Sequence, residues 1–282
     1  MTELVDWLCP REIEPDRFIG ISPQTSWNRV FGGLVLSQAL ATCLRTAPGR
    51  TPHSLHAYFL LGGEAPTPLD YRVTRLRDGG SFTTRRVDCF QNNQLIFSGM
   101  ASFQTPEVGL HHQYAMPRVP APAALPDPRQ LLAQYGPGLP KAAHFWFAPE
   151  QQIEIRVIDP EHYFNRKTRD YLPFIWMRVK HRLPDDPAIH YAALAYMSDI
   201  ALIDTAMAAH GLALFEPTIQ AASLDHGLWL HQPLRADEWL LYAPESPFTG
   251  HSRGLSRGFI FSENGQLVAS VTQEGLMRQR SR

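Results

Sequence analysis

The 282-residue chain has few cysteines, and none is placed for a metal site or a disulfide framework. The three cysteines, Cys9, Cys43 and Cys89, lie far apart and form no CxxC pair. Cysteine metal sites and secreted disulfide scaffolds both need paired or closely spaced residues. The first ten residues also lack a signal-peptide pattern. We therefore expect a protein of the reducing cytoplasm, with Cys43 and Cys89 in its core.

Clusters of charge and long apolar runs are also missing. The net charge is −1 and no basic block is present, which argues against a nucleic-acid partner because phosphate binding needs clustered Lys and Arg. No apolar run reaches the roughly 18 residues that a membrane-spanning helix needs. The chain is nevertheless 44% apolar, which is enough for a substantial core. We expect no nucleic-acid partner and no membrane span.

Familiar catalytic and metal-binding motifs are absent from the sequence. It contains no nucleophile elbow, phosphate-binding P-loop, dinucleotide fingerprint or HExxH zinc motif. His53 and His56 lie three apart on a predicted strand, so their side chains point to opposite faces and cannot share a metal ion. The sequence predicts no metal site and no cofactor.

An internal repeat is present instead. Residues 31–104 (the first copy) resemble residues 192–276 (the second copy) at low identity. A shift of 161 positions, 198 − 37, lays Ser37-Gln38 on Ser198-Asp199. Matches of this kind in a constant order indicate a duplication.

Further matches follow at a slightly larger shift. A shift near 170 lays His56 on His226, and a similar one lays residues 81–90 on residues 252–261. Of the compared helix positions, only the second copy has an acid, Asp199. We expect one copy to keep the chemistry and the other to keep the architecture.

Each copy predicts one long helix followed by antiparallel strands. The spacing of apolar residues predicts helices over 32–46 and 187–210, the second ended by Gly211. Strands are predicted over 53–104 and over 222–277, with Asn264-Gly265 as a hairpin turn. A helix followed by such strands predicts an α+β fold in which the helix lies on a curved sheet.

A proline-rich stretch separates the two halves. Eight of the 24 prolines lie between Pro106 and Pro140, where they disfavour regular structure apart from one short helix near residues 129–135. The predicted organisation is an N-terminal module over 1–105, a linker over 106–150 and a C-terminal module over 151–282.

Three polar residues of the second copy are candidates for catalysis. Asp199 lies in an apolar stretch where a buried carboxylate needs donors, although an exposed helix face explains it equally well. Ser223 begins a strand and Gln273 interrupts another, and each alone is explained by a solvent-facing position. Together they supply an acceptor, a hydroxyl and an amide that can hold a water for attack on a carbonyl. A triad through Asp225 and His226 is disfavoured because a strand sends them to opposite faces.

With these residues in place, the chain resembles the acyl-CoA thioesterase II family, whose fold is a double hotdog of two tandem modules. Eight segments carry the resemblance in order, including Phe31-Gly-Gly-x-Val-Leu, Arg77-Asp-Gly-x-Ser-Phe, Ser198-Asp-Ile and Ser223-Leu-Asp-His. The resemblance implies hydrolysis of acyl-CoA to free acid and CoA, with Asp199, Ser223 and Gln273 activating the water. It also implies a homodimer or homotetramer. A hotdog hydratase and a non-catalytic acyl-CoA-binding protein are the alternatives.

The substrate-binding candidates fall into two groups. Gly32 and Gly33 begin the first helix, where backbone N–H groups can bind an oxyanion. The remaining candidates are side chains of the first copy: His56, Arg77, Arg85 and Arg86. The three arginines are candidates for CoA phosphates, but a solvated strand edge explains them equally well. The chain departs from the family pattern at Leu34, at Leu61-Gly62-Gly63 and at Gly80, so acyl preference and CoA contacts stay open.

Overall fold

The computed structural model describes residues 3–24, 29–139, 144, 146–148, 150–165, 173–214, 216 and 218–280. The chain divides into two compact units that interleave along the sequence. Unit one comprises Met1–Gln113, Leu183–Ile200 and Leu224–Arg235. Unit two comprises Tyr114–Arg182, Ala201–Ser223 and Ala236–Arg282. Six residues of the predicted linker, 140–143, 145 and 149, lie outside the described residues.

Unit one is an antiparallel sheet around a helix. Its helices are α1 (Glu3–Leu8), α2 (Gly32–Arg45) and α5 (Pro187–Ser198). Its strands are β1 (Arg11–Glu14), β2 (Arg17–Gly20), β3 (Thr51–Phe59), β4 (Leu69–Asp78), β5 (Phe82–Gln91), β6 (Gln94–Gln104) and β10 (Asp225–Leu230). They lie in the order β1-β2-β4-β5-β6-β3-β10. Helix α2 contacts β3, β4, β5 and β6 and packs against α5, so its apolar side chains form the centre of this core.

Unit two has the same plan with a shorter helix. Its helices are α3 (Pro128–Tyr135), α4 (Pro160–Asn165) and α6 (Leu202–Ala208). Its strands are β7 (Ile153–Val157), β8 (Ile175–Val179), β9 (Ile219–Ser223), β11 (Leu240–Gly250), β12 (Arg253–Ser262) and β13 (Leu267–Gln279). They lie in the order β13-β12-β11-β8-β7, and β9 pairs with β13. Helix α6 contacts β9, β11, β12 and β13.

The prediction of one helix over 187–210 is wrong, because the chain breaks it at Asp199. Helix α5 ends at Ser198, Asp199 is its C-cap with φ −89° and ψ −2°, and α6 begins at Leu202. Aspartate has a poor helix propensity because its short polar side chain competes for backbone partners. The predicted stop is confirmed, since Gly211 has a φ of +70°. The prediction for 32–46 is also confirmed, by α2.

The strand registers of the two copies correspond. Pro52 lies opposite Phe103 in the first copy, and Ser223 lies opposite Gly275 in the second. The shifts are 171 (223 − 52) and 172 (275 − 103). Arg85 opposite Ala101 and Ser256 opposite Gln273 give the same two shifts. The two copies therefore build their sheets on one hydrogen-bonding pattern.

The match of His56 with His226 is wrong by one residue. A shift of 171 lays His56 on Gly227 and Leu55 on His226. Leu55 and His226 are both buried, whereas His56 is exposed. A slip of one residue along a strand moves a side chain to the other face of the sheet. The two histidines therefore have different environments and are not counterparts.

Candidate active site

Asp199 lies buried at the break between α5 and α6. Its side chain is 4% exposed, and a Cβ built on Gly32 would lie 2.6 Å from its Oδ2. The missing side chain of Gly32 thus lets the carboxylate approach the first turn of α2. The prediction placed Asp199 inside a helix, whereas the break at the C-cap is what puts its carboxylate beside another helix.

Gly32 and Gly33 form the start of α2. The N-cap Phe31 makes no side-chain cap to this helix, and its carbonyl oxygen accepts from the N–H groups of Leu34 and Val35. The N–H groups of Gly32 and Gly33 precede these first helical bonds. A Cβ built on Gly33 would lie 2.4 Å from the carbonyl oxygen of Tyr196, and the rings of Phe31 and Tyr196 meet edge to face at 5.0 Å. The two glycines therefore permit close packing of α2 on α5.

Tyr196 is a second buried polar group next to Asp199. Burial, followed by the charge of Asp199, raises the pKa of the Tyr196 phenol above its ordinary value. The phenol therefore stays protonated at neutral pH and adds no second negative charge beside the carboxylate.

His226 is a buried neighbour of Asp199 that the sequence prediction missed. Its Nδ1 lies 3.8 Å from Asp199 Oδ1, and its side chain is 0% exposed. Its Nε2 lies 2.9 Å from the hydroxyl oxygen of Ser198. A signal was available in the sequence, because His226 alternates with Leu228 and Leu230 as an inward-facing residue of β10.

Ser223 and Gln273 form a hydrogen-bonded pair in unit two. Nε2 of Gln273 donates to the Ser223 hydroxyl oxygen at 2.6 Å. Gln273 is 1% exposed and lies in β13 directly opposite Ser256 of β12. Gln273 is therefore not the solvent-facing strand residue that it suggested in isolation, and Ser223 is half-buried.

Arg85 is buried and hydrogen-bonded within the protein, which is not the exposed position expected of a phosphate ligand. Its side chain is 2% exposed, and its N–H groups donate to the carbonyl oxygens of Thr46, Arg77 and Thr84 and to the carboxylate of Asp78. The guanidinium is thus fully committed to the protein. The sequence signal was its inward-facing position between Thr83 and Val87.

The other three binding candidates lie on the surface. His56 is exposed and meets Trp229 edge to face at 4.8 Å. Arg77 is exposed. Arg86 is exposed and pairs with Asp88 at 3.0 Å. The structure places these side chains on outward-facing strand positions and leaves their roles as predictions.

The described part of the chain has neither a cluster of metal ligands nor a membrane-spanning helix. No group of three or more His, Cys, Asp or Glu residues there is placed to hold a metal ion. No described helix is both long enough and apolar enough to cross a membrane.

Comparison with known proteins gives the family. Two family models match: the acyl-CoA thioesterase N-terminal domain over residues 22–104 and acyl-CoA thioesterase over residues 147–276. The chain is 36% identical to acyl-CoA thioesterase 2 of Haemophilus influenzae, over 99% of this chain and 98% of that protein.

Solved structures agree with this assignment. The acyl-CoA thioesterase II TesB2 from Mycobacterium marinum is 39% identical, with a TM-score of 0.80 over 98% of both chains. A protein with a hot dog fold from Alicyclobacillus acidocaldarius has a TM-score of 0.76 at 20% identity over 100% of both chains and shows the fold alone. The predicted α+β double hotdog is confirmed. By sequence and by structure, this chain belongs to the acyl-CoA thioesterase family.

Proposed function

We propose that the protein hydrolyses acyl-CoA thioesters to free acid and CoA with a water activated by Asp199, and that it needs no metal or redox cofactor. The observation that carries the proposal is the buried Asp199 carboxylate against Gly32 at the start of α2. This arrangement occurs in a chain whose relatives over 99% and 89% of its length are named acyl-CoA thioesterases.

The chemistry follows from the position of a base beside a helix start. Asp199 accepts a proton from water while the water oxygen bonds to the thioester carbonyl carbon. The N–H groups of Gly32 and Gly33 bind the negative charge that develops on the carbonyl oxygen. The C–S bond then breaks, and the proton held by Asp199 passes to the sulfur of the leaving CoA. Aspartate here acts as a base and forms no covalent intermediate.

Ser223 and Gln273 are proposed to orient the same water. Their assignment to the reaction rests on the family resemblance. In support, the Ser223 oxygen accepts from Gln273, so the hydroxyl's own proton is donated elsewhere, and we assign it to the water. Gln273 is buried, which holds its amide in one orientation and lowers the entropic cost of the step.

Arg77 and Arg86 are proposed to contact the CoA phosphates. Both are exposed on neighbouring antiparallel strands of unit one, and guanidinium groups bind phosphate oxygens well. His56 is proposed to contact the substrate from the same sheet. Replacing each arginine by alanine is expected to raise KM for acyl-CoA and leave kcat unchanged. An unchanged KM in both variants would remove them from the binding site.

We also propose a cytoplasmic homodimer or homotetramer. Tyr58, Met100 and Trp229 are 64%, 52% and 37% exposed. They surround His56 on the outward face of β3, β6 and β10, and apolar surface of this kind marks association sites. Light scattering of the wild type and of Met100→Glu tests this, since the acid is expected to lower the mass to that of a monomer. A monomeric wild type would contradict it.

The reaction class is tested by thiol release from acyl-CoAs of about two to about eighteen carbons, which spans the lengths that an apolar pocket can select. Release that depends on chain length supports the proposal. Binding of acyl-CoA without release at any length would favour the binding-protein alternative. Consumption of an enoyl-CoA without thiol release would favour the hydratase.

The role of Asp199 as a base is tested separately with water labelled by a heavy oxygen isotope. With enzyme in excess over acyl-CoA, direct attack by water puts the label into the acid in the first turnover. An acyl intermediate on Asp199 that is hydrolysed at the aspartyl carbonyl would give unlabelled acid at first and would leave the label in the aspartate. That outcome would contradict the base mechanism while preserving the thioesterase.

A further inference from the structure

The Ser198 hydroxyl fixes where His226 carries a proton. Ser198 Oγ lies 2.8 Å from the carbonyl oxygen of Ala195 and 2.9 Å from His226 Nε2. A carbonyl only accepts, so the single hydroxyl proton goes to Ala195. Nε2 of His226 must therefore donate to Ser198. Ser37 in the first copy supports this assignment, because it donates to the carbonyl of Leu34 at the same 2.8 Å.

The other ring nitrogen of His226 faces the carboxylate of Asp199. The distance from Nδ1 to Oδ1 is 3.8 Å, which suits an ion pair and exceeds a hydrogen bond. Both side chains are buried, at 0% and 4% exposure. An ionised carboxylate buried in this way needs a compensating partner, and contacts between catalytic groups that are long without substrate often shorten into hydrogen bonds when substrate binds.

Histidine and aspartate occur together in the second copy only. The shifts that relate the copies lay Leu55 on His226 and Gln38 on Asp199. Leu55 and His226 are both fully buried. The first copy therefore has the apolar side chain of Leu55 at the position where the second copy has the polar ring of His226. The pair of His226 and Asp199 thus occurs only in the copy that has the proposed base, and the fold does not require it.

We propose that His226, as an imidazolium with a proton on each ring nitrogen, is a positioning residue for Asp199. Ser198 accepts from Nε2–H and thereby orients the ring, and Nδ1–H points at the carboxylate, so that Asp199 stays ionised and directed at the start of α2. The inference rests on the proposed function in taking Asp199 as the base. The inference adds a chain of contacts from Ser198 through His226 to Asp199. This chain fixes the carboxylate at the C-terminal end of α5.

Two substitutions at His226 separate its two nitrogens. The amide nitrogen of asparagine occupies the position of Nδ1, and that of glutamine occupies the position of Nε2. His226→Asn is expected to keep kcat within about fivefold of the wild type, whereas His226→Gln is expected to lower it roughly 10- to 100-fold, the cost of a misplaced catalytic group. KM is expected to stay unchanged in both variants. Equal losses in both, or an effect on KM alone, would overturn the proposal.

Ser198→Ala has a matched control in the first copy. It removes the acceptor of Nε2–H and is expected to lower kcat severalfold, whereas Ser37→Ala removes the corresponding serine and is expected to leave kcat unchanged. Urea unfolding of all four variants identifies losses that come from stability. A normal kcat in stable Ser198→Ala would remove Ser198 from the proposed chain.

Nitrogen NMR of His226 tests the positioning without any assay of activity. The wild type is expected to show a protonated Nε2, and Asp199→Asn is expected to shift the resonance of Nδ1. A bare Nε2, or an Nδ1 resonance that ignores Asp199→Asn, would overturn the inference. If the protein released no thiol, the proposed function would fail while these resonances still reported on the positioning.

Discussion

The two copies share one hydrogen-bonding pattern and differ at each position proposed to act in catalysis. The helix shift of 161 and the strand shifts of 171 and 172 relate each catalytic candidate to a first-copy residue that cannot replace it. Asp199, Ser223 and Gln273 correspond to Gln38, Pro52 and Ala101. The three catalytic candidates thus all lie in the second copy, while the first copy retains the sheet and helix that the fold requires.

Gln38 shows what the first copy does at the position of the acid. Its Nε2 donates to the carbonyl oxygens of Trp7 and Ile21, and its side chain lies against Gly20. Helix α2 continues past Gln38 to Arg45, whereas α5 ends just before Asp199. The amide of Gln38 therefore binds the N-terminal segment. Asp199 instead lies just after the end of α5, with its carboxylate beside the start of α2.

After the loss of the acid itself, the largest effect is expected for the pair in unit two. Ser223→Ala and Gln273→Ala are each expected to lower kcat about 100-fold, the typical scale for a group that orients a reacting water. The double variant is expected to be little worse than either single one, because Gln273 donates to Ser223. The first copy offers a control in His53 and Ser102, which lie 2.8 Å apart. Ser102→Ala is expected to leave kcat unchanged, and an equal loss there would break the comparison.

Arg85 of the first copy is expected to contribute to the stability of the fold and not to catalysis. Arg85→Met leaves three carbonyl groups and Asp78 without their donor and is expected to lower the free energy of unfolding by about 3 kcal/mol. The exposed neighbour Arg86 is the control, and Arg86→Met is expected to cost less than about 1 kcal/mol. Urea denaturation checks both. A stable Arg85→Met with an increased KM would restore the phosphate-binding role.

Gly32 links the first copy to the base of the second. A Cβ at this position would lie 2.6 Å from Asp199 Oδ2, so Gly32→Ala must displace the carboxylate. We expect kcat to fall roughly tenfold or more. Gly80→Ala is a suitable control, since nothing lies within 4 Å of its added Cβ. A normal kcat in Gly32→Ala would show that the carboxylate has room to move without loss.

The smallest expected effect is a loss of folding stability at low pH, to which one carboxyl group in each unit contributes in the same way. Burial raises the pKa of Asp70, but hydrogen bonds from Arg17 and Arg72 outweigh it and hold that pKa below its ordinary value. Burial and the hydrogen bonds from Arg178 and Arg156 leave the pKa of Glu154 lowered in the same way. A carboxyl group whose pKa is lower in the folded state than in the unfolded state stabilises the fold at pH values above the unfolded pKa. This stability is lost as the pH falls through the folded pKa.

Unfolding free energies at neutral pH and near pH 4, around which ordinary carboxyl groups titrate, test this response. Asp70→Asn and Glu154→Gln are each expected to reduce the stability lost between the two conditions. Both groups are partly exposed, so the change is expected to be small. A larger acid loss in either variant than in the wild type would contradict the assignment.

Local periodicity predicted much of this structure, and long-range packing decided the rest. Helix α2 and the hairpins of both copies follow from apolar spacing and turn residues. Asp199, Ser223 and Gln273 were identified from the family segments that occur in order along the sequence. The break at Asp199 was not predicted because apolar spacing continues through it. His226 was missed because its partner lies 27 positions earlier in the chain (226 − 199), a contact that strand alternation does not reveal.

The central claim is that the acid of the second copy carries the chemistry and its first-copy counterpart does not. The most direct test compares kcat for thiol release by Asp199→Asn and Gln38→Asn, each confirmed to be folded. Asp199→Asn keeps the size of the side chain and removes the base, so we expect a loss of about 100-fold or more. Gln38→Asn is expected to lower stability and to keep the wild-type kcat. A wild-type kcat in folded Asp199→Asn would contradict the account.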